Sequence, residues 1–436
     1  MKDIVVGLIG FGTVGAGAVD ILLNKRELVR DKLGSYINLK KIADLDLTTD
    51  RGVEVDPTIL TTNAYDVIND PDIQIVIELI GGYEPARTFI LEAIKRGKHV
   101  VTANKALLAN HGAEIFAAAI AGKTDVAFEA SVCGGIPVIR AIREGLTANS
   151  ILRLCGILNG TANYILTKMS LEGVAFADAL KQAQNLGYAE ADPTYDVEGI
   201  DTAHKLAILI SLSYGAKVDF HDKNFFIEGI TGLTPLDIAY AADLGYRVKL
   251  MAISRIHDDG IEARVHPTMI PKSHVLANVL EAYNAVHITG HAVGDILLYG
   301  LGAGRMPTGS AVVSDLIDLG RNILNGISVR VPPLSFMPDR MSNLSLKPID
   351  DLVMEYYMRF TAMDQPGVLA TIGGILGKHN ISLAAVLQKG RKGNGNGVPV
   401  IMLTHEAREA DVQAAVAEID QTQVVVPPTM VIRIES

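Results

Sequence analysis

Two cysteines among 436 residues, Cys133 and Cys155, are too few for a disulfide scaffold or a multi-cysteine metal site. Basic charge is short as well. Lys and Arg number 39 against 49 Asp and Glu, a net charge of −10. Nucleic acid and anionic membranes both require a basic footprint, so neither is expected as a partner. Long apolar runs are missing too: AILISL at 207–212 has buried-helix length, far below the ~20 residues that span a bilayer. The first residues, MKDIVVGLIGFGTVGAGAV, are interrupted by glycines and a threonine and end in no small-residue cleavage signal. Eleven histidines occur without HxxH or HExxH spacing, which argues against a transition-metal site. A cytoplasmic multidomain protein is expected.

What is present is ordinary globular material, 49% hydrophobic and 20% charged, enough for two to four domains at roughly 150 residues each. Residues 1–134 alternate β-branched runs (Ile4 to Ile9, Ile73 to Ile80, His99 to Thr102, Val126 to Ala130) with helical patterns such as ARTFILEAIKRGK. That order predicts an α/β domain with a parallel sheet covered by helices. Residues 135–327 read as a second, α+β domain for substrate chemistry and dimerisation, with 300–320 returning toward the first. Residues 328–353 are rich in proline and serine without periodicity and read as a linker. Residues 354–436 follow the order βαββαβ, a ferredoxin-like unit with a glycine-rich turn at KGRKGNGNG.

Gly10-Phe11-Gly12-Thr13-Val14-Gly15 closes the first strand and opens a helix, the context a Rossmann-type dinucleotide fingerprint requires. The glycines permit the tight turn and close approach of backbone to pyrophosphate, and the helix N-terminus stabilises its charge. Asp44 ends the second strand and points to NAD; the basic neighbours Lys41 and Arg51 point to NADP. Lys105, in TANK, begins a helix at the carboxyl edge of the sheet, where its charge opposes the helix dipole and where ligands bind. Asp201 and Lys205 are four apart on a helix that continues as LAILI. They therefore share one face of a buried helix. Burial would push such a lysine toward neutrality and a carboxylate would hold it charged. Glu190, Asp196, Asp201 and Lys205 together suit an amino-acid ammonium beside a carbonyl that receives a proton.

The segments IGFGTVG, TANKALLA, FEASVCGGIPVI, GILNGTANYIL, GYAEADPTYDVEGIDTAHKLAIL and YGLGAGRMPTGSAVVSDL resemble, in this order, homoserine dehydrogenases with a C-terminal ACT domain. The resemblance implies reversible reduction of L-aspartate 4-semialdehyde to L-homoserine with NADP or NAD. It implies Lys205 as the acid/base and Lys105 between cofactor and substrate. Glu190 and Asp201 would hold the amino group, and Gly187 and Gly302 would approach the cofactor. Glu129, Val132, Gly134 and Ile136 would bind a monovalent cation, sodium, mainly through carbonyls, and a homodimer or higher oligomer is implied. On the residues alone, that turn reads as an ordinary interdomain connection and Cys133 as structural.

In the C-terminal unit, Asp364-Gln365-Pro366-Gly367-Val368 reads as a helix start capped by Asp364 or Gln365. The amides at Gly367 and Val368 would take an effector carboxylate, and Asp364 or Asn380 its ammonium, with L-threonine the candidate from the family. The linker would make this unit detachable. Two other readings stay open: another ACT-bearing nicotinamide dehydrogenase of hydroxy or amino acids, and a catalytically inactive amino-acid sensor.

Overall fold

Short runs of Val and Ile, buried on both faces, pack side by side at the start of the chain. In the computed structural model, which describes residues 3–388 and 397–435, they form a six-stranded parallel sheet among the described residues. Its order is Leu60–Thr61, Ile37–Ala43, Ile4–Ile9, Ile75–Glu78, His99–Thr102 and Val126–Ala127. The neighbours of Ile4–Ile9 come from opposite sides of the sheet, so the chain reverses direction there and leaves a crevice at the carboxyl ends. Two expected strands are shorter than their apolar runs. One stops at Glu78, whose carboxylate accepts the Ile80 and Gly81 amides. The other stops at Ala127, before a single 3-10 turn at Glu129–Ser131.

Helix Arg305–Leu324 closes the back of this sheet. It contributes Val312, Leu316 and Leu319 to the core that holds Val6, Leu8 and Val19. It crosses helix Thr13–Asn24 where two glycines meet: a Cβ on Gly17 would lie 2.0 Å from the Arg305 carbonyl oxygen, and one on Gly309 2.6 Å from the Gly17 carbonyl carbon. The nucleotide-side domain is thus built from two distant stretches of chain.

The middle of the chain forms an antiparallel sheet in the order Gly294–Leu301, Tyr283–Gly290, Ile151–Ile157, Tyr246–His257 and Gly260–Pro271. Helices Gly160–Glu172, Ile200–Tyr214 and Pro235–Asp243 pack against it. The C-terminal unit has strand order Val425–Ile434, Val353–Ala362, Val398–Thr404, Leu383–Leu387, with helices Val368–Lys378 and Glu409–Asp420 on a shared core. Residues 389–396 of the glycine-rich turn lie outside the described residues.

The expectation of a detachable unit on a free linker is corrected here. Strand Gly260–Pro271 pairs in parallel with Val425–Ile434 through Thr268–Arg433 and Met269–Ile434. The two antiparallel sheets are therefore one sheet of eleven strands among the described residues. Glu435 then receives Arg153 at 2.6 Å, Arg264 at 2.9 Å, and Arg255. Arg359 and the Tyr357 hydroxyl both reach the fully buried Asp237. The stretch 328–353 is also tied down: Arg330 pairs with Glu144 at 2.9 Å, and the Ser342 and Lys347 amides donate to the Gly215 and Ile261 carbonyls. Proline and serine remove periodicity from this stretch without freeing it.

Candidate active site

Two helix starts converge on one carboxylate. Helix Ile200–Tyr214 begins after Gly199, whose left-handed φ of 80° reverses the chain, and it buries nearly every side chain, Asp201, His204 and Lys205 included. Lys205 Nζ donates to Asp201 Oδ2 at 2.7 Å and to the Leu158 carbonyl at 2.6 Å. Lys105 Nζ lies 3.0 Å from Asp201 Oδ1. Asn159 Nδ2 donates to Asp201 Oδ2 at 2.8 Å and to Asp196 Oδ1 at 2.6 Å. The four-residue spacing of Asp201 and Lys205 is thus an ion pair in the fold's interior. It is not a solvated surface pair.

Burial works against a charged Asp201, but Lys205 and Lys105 outweigh it and hold the carboxyl well below the usual carboxylate range. The same contact raises Lys105, so that lysine is firmly cationic. Burial, and then Asp201, push Asp196 upward. Glu190 is exposed, its carboxylate has no partner among the described residues, and its charge reaches Lys105. Both Asp201 oxygens are engaged by the lysines and Asn159, and Asp196 engages Asn159 through Oδ1.

The glycine loop lies where the fingerprint places it. Gly10 has φ of 98°, and a Cβ there would lie 2.7 Å from the Leu79 carbonyl carbon. The helix behind it starts at Thr13 with no side-chain cap, so the Gly12, Thr13 and Val14 region faces the crevice with open amides. A cleft of about 710 Å3 runs beside it, lined by Gly10, Gly12, Asp44, Arg51, Gly81 and Glu84 among others. Asp44 accepts the Phe11 amide through Oδ2 and the Asp46 amide through Oδ1. Arg51 is held over the same cleft by Asp46 at 3.1 Å.

At the seam between the domains, Glu129 spends its carboxylate on the Ile139 and Arg140 amides, both at 2.8 Å. Cys133 and Gly134 are both left-handed, at φ 56° and 48°. This double turn leaves the Val132 and Gly134 carbonyls without a hydrogen bond from another described residue, whereas the Glu129 and Ile136 carbonyls accept Val132 and Val138. A hard monovalent cation fits such a set of carbonyls. Burial pushes the Cys133 thiol up to about 11, which leaves it inert. Gly302 packs directly on Gly134. Gly187 lies in the exposed turn after helix Phe176–Asn185, on the same segment as Glu190 and outside the glycine-loop cleft.

Three family models cover this arrangement. "Homoserine dehydrogenase, NAD binding domain" matches residues 10–129, "Homoserine dehydrogenase" 137–317, and "ACT domain" 356–422. The homoserine dehydrogenase of Pseudomonas aeruginosa is 46% identical over 435 residues, covering 100% of this chain and 99% of the relative. The chain belongs to the homoserine dehydrogenase family.

A homoserine dehydrogenase from Thiobacillus denitrificans superposes with a TM-score of 0.94 at 49% identity, covering 100% of this chain and 99% of that one. A hyperthermophilic archaeal homoserine dehydrogenase in complex with NADPH aligns at TM-score 0.63 and 26% identity, over 76% of this chain and all of that one. This member of the family is an NAD(P)-dependent oxidoreductase with a C-terminal ACT domain. None of the described helices is long and apolar enough to cross a membrane.

Sequence reasoning missed the residues that hold the lysines. Asn159 and Asn104 each cap a helix, accepting the Ala162 and Leu107 amides, and each spends its amide nitrogen on the site. Asn104 reaches the Gly82 carbonyl at 2.7 Å, and so ties Lys105 to the loop over the cofactor cleft. Glu78, fully buried, receives the Thr102 hydroxyl at 2.7 Å beneath it. An asparagine before a glycine or lysine at a helix start was the available signal.

The ACT unit carries a smaller cleft of about 280 Å3, lined by Asp364, Gln365, Gly367, Val368 and Gln388. Gly367 itself precedes helix Val368–Lys378 in a left-handed conformation, and no side chain caps it. The expected cap from Asp364 or Gln365 is therefore absent, and the amides are open. Asn380 sits beyond the other end of this 11-residue helix, about 16 Å away at 1.5 Å per residue. The structure does not bring it to the cleft.

Proposed function

We propose that the chain reduces L-aspartate 4-semialdehyde to L-homoserine, reversibly, with Lys205 as the proton donor. The observation that carries the residue assignment is the shared Asp201. It fixes two ammonium groups at the seam where a nicotinamide from one domain and an aldehyde from the other must meet. The bound dinucleotide supplies the hydride. Lys205 has two of its three N–H bonds committed to Asp201 and Leu158, which leaves one for the developing alkoxide. Lys105 stays charged and stabilises that oxygen. Glu190, aided by Asp196, takes the substrate ammonium.

NADPH is the preferred cofactor in this reading. Asp44 is anchored by two backbone amides, while Arg51, which lines the same cleft, is placed to meet a 2′-phosphate. The relative crystallised with NADPH supports this. Sodium fits the Val132 and Gly134 carbonyls, with Glu129 and Ile136 completing the turn. L-Threonine fits the ACT cleft, its carboxylate on the Gly367–Val368 amides and its ammonium on Asp364. Strand Gly294–Leu301 has no outer neighbour among the described residues and exposes Leu297, Tyr299 and Leu301. That edge suits isologous pairing with a second copy, which sedimentation would read. The acidic charge and the biosynthetic chemistry fit the cytoplasm.

Steady-state rates with aspartate semialdehyde and NADPH or NADH test the reading. Turnover with NADPH well above NADH is expected, and absence of turnover with both would sink it.

A further inference from the structure

Asn284 stands out among the buried polar groups that the proposed chemistry leaves unused. It lies on strand Tyr283–Gly290, opposite Gly300, and is 1% exposed. Neither Nδ2 nor Oδ1 meets a nitrogen or oxygen partner among the described residues, and the amide's one polar neighbour is a thiol. The amide lies against Gly302 so closely that a Cβ there would be 2.1 Å from its carbon and nitrogen. The Cys133 thiol, a weak partner, neighbours it, and that thiol in turn feels the charges of Lys205 and Asp201. Gly134 packs on the Gly302 carbonyl, 2.6 Å from the position of an added Cβ, and the Gly135 amide donates to Leu301 at 3.1 Å. The amide therefore sits beneath two glycine turns, 133–135 and 302–304, beside the paired lysines.

A buried amide whose one polar neighbour is a weak thiol is short of hydrogen bonds, a cost that a further partner would relieve. The neighbouring polar backbone belongs to those two turns, which Gly134 and Gly302 let pack against each other and against the amide. We propose that Asn284 is a positioning residue: wedged beneath the two packed turns, its amide completes its hydrogen bonds to their backbone when a nicotinamide is bound, and so holds them in place against the cofactor. This rests on the nicotinamide site proposed above.

The test separates a positioning residue from a merely structural asparagine. Asn284→Leu keeps the size of the side chain and removes its polarity. Without cofactor, such a variant should melt at or above the wild-type temperature, because an amide short of hydrogen bonds has been removed. It should bind the reduced dinucleotide about tenfold more weakly, the scale of one or two hydrogen bonds. The dinucleotide should raise its melting temperature less than that of the wild type. Binding is read on the full chain by the fluorescence of the reduced nicotinamide, which no tryptophan obscures. Asn284→Ala, which leaves a cavity, should melt lower yet lose the same affinity.

Undiminished affinity in either variant overturns the proposal. So does a leucine variant whose weaker binding comes with a lowered melting temperature in the absence of cofactor, since the amide would then serve the resting fold. Failure of the wild type to bind the dinucleotide at all would instead strike the nicotinamide site itself.

Discussion

Lys105 and Asp201 meet across the domain boundary, Nζ to Oδ1 at 3.0 Å, each in the first turn of its own helix. The aspartate is favourably placed at a helix N-terminus and the lysine is not. The carboxylate offsets that cost and joins the two halves of the site. Asp201 is thus a hub through which the lysines hold their separation, and its removal should damage both.

Lys205→Ala should lower kcat by about a hundredfold or more, the scale of a positioned acid/base, with cofactor affinity nearly unchanged. Asp201→Asn should lower kcat by a similar factor, although Asp201 meets no reacting atom. It should also weaken Lys105's hold. A fully active Asp201→Asn enzyme would show that the lysines position themselves.

Glu190→Gln should act differently. One charge-assisted contact is weakened in ground and transition states alike, so KM for homoserine should rise several-fold to tenfold with kcat within about twofold. Collapsed kcat at unchanged KM would place Glu190 in the chemistry.

Arg51→Ala tests the cofactor assignment. Loss of a guanidinium facing a 2′-phosphate should reduce kcat/KM for NADPH by at least about tenfold and leave NADH nearly untouched. An equal loss with both cofactors would mean that Arg51 holds the 44–51 turn and reads nothing.

His204 gives a prediction in pH. It is buried beside Phe220, with ring centroids 4.3 Å apart, and its Nε2 has no partner. Burial pushes it down to about 4. Unfolded, it titrates near 6.5. Between those values the unfolded chain takes up a proton that the fold refuses, so stability rises with pH from about 4 to about 6.5 and is fully present above. The slope from this group reaches about 1.4 kcal/mol per pH unit. Thermal melts of His204→Gln across pH 4–7 should show a flatter rise than the wild type; parallel curves would remove His204 from the acid response.

The glycine loop, both lysines and the ferredoxin-like unit were legible because each depends on local order: a strand before Gly10, a four-residue helix spacing, a βαββαβ succession. What was not legible depends on distant partners. Nothing local to Asp201 announces Lys105, and nothing in PPLSFMPDRMSNLS announces that Ser342 is bonded to Gly215. Asn284 follows an exposed tyrosine in an alternating strand, and only the fold puts Gly302 on its amide. The three arginines that converge on Glu435, Arg153, Arg255 and Arg264, are similarly scattered in sequence.

That last cluster decides what truncation does. Burial opposes a charged Glu435, but Arg264, Arg255 and Arg153 outweigh it and hold the carboxyl below its usual range. Arg264 is 2% exposed and Asp237 is fully buried. Ending the chain near Asp350 would leave the first without its Glu435 carboxylate and the second without Arg359. Arg264 would keep Glu262 at 3.2 Å and both groups would gain solvent, so the loss comes chiefly from the broken strand pairing and from the packing and ion pairs across it. The truncated chain should therefore melt far below the full-length protein, or fail to fold, and cannot serve as an unregulated enzyme. Glu435→Gln should lower the melting temperature by several degrees while kcat per folded molecule stays near wild type. Effector response is better tested in place. Gly367 holds φ of 91°, so Gly367→Leu should distort the amides of the ACT cleft and abolish inhibition by threonine with little loss of kcat. Circular dichroism melts and threonine titrations of the three variants check these outcomes. A truncated enzyme that melts like the wild type would show that the shared sheet carries no stability. Full threonine inhibition of Gly367→Leu would move the effector to another site.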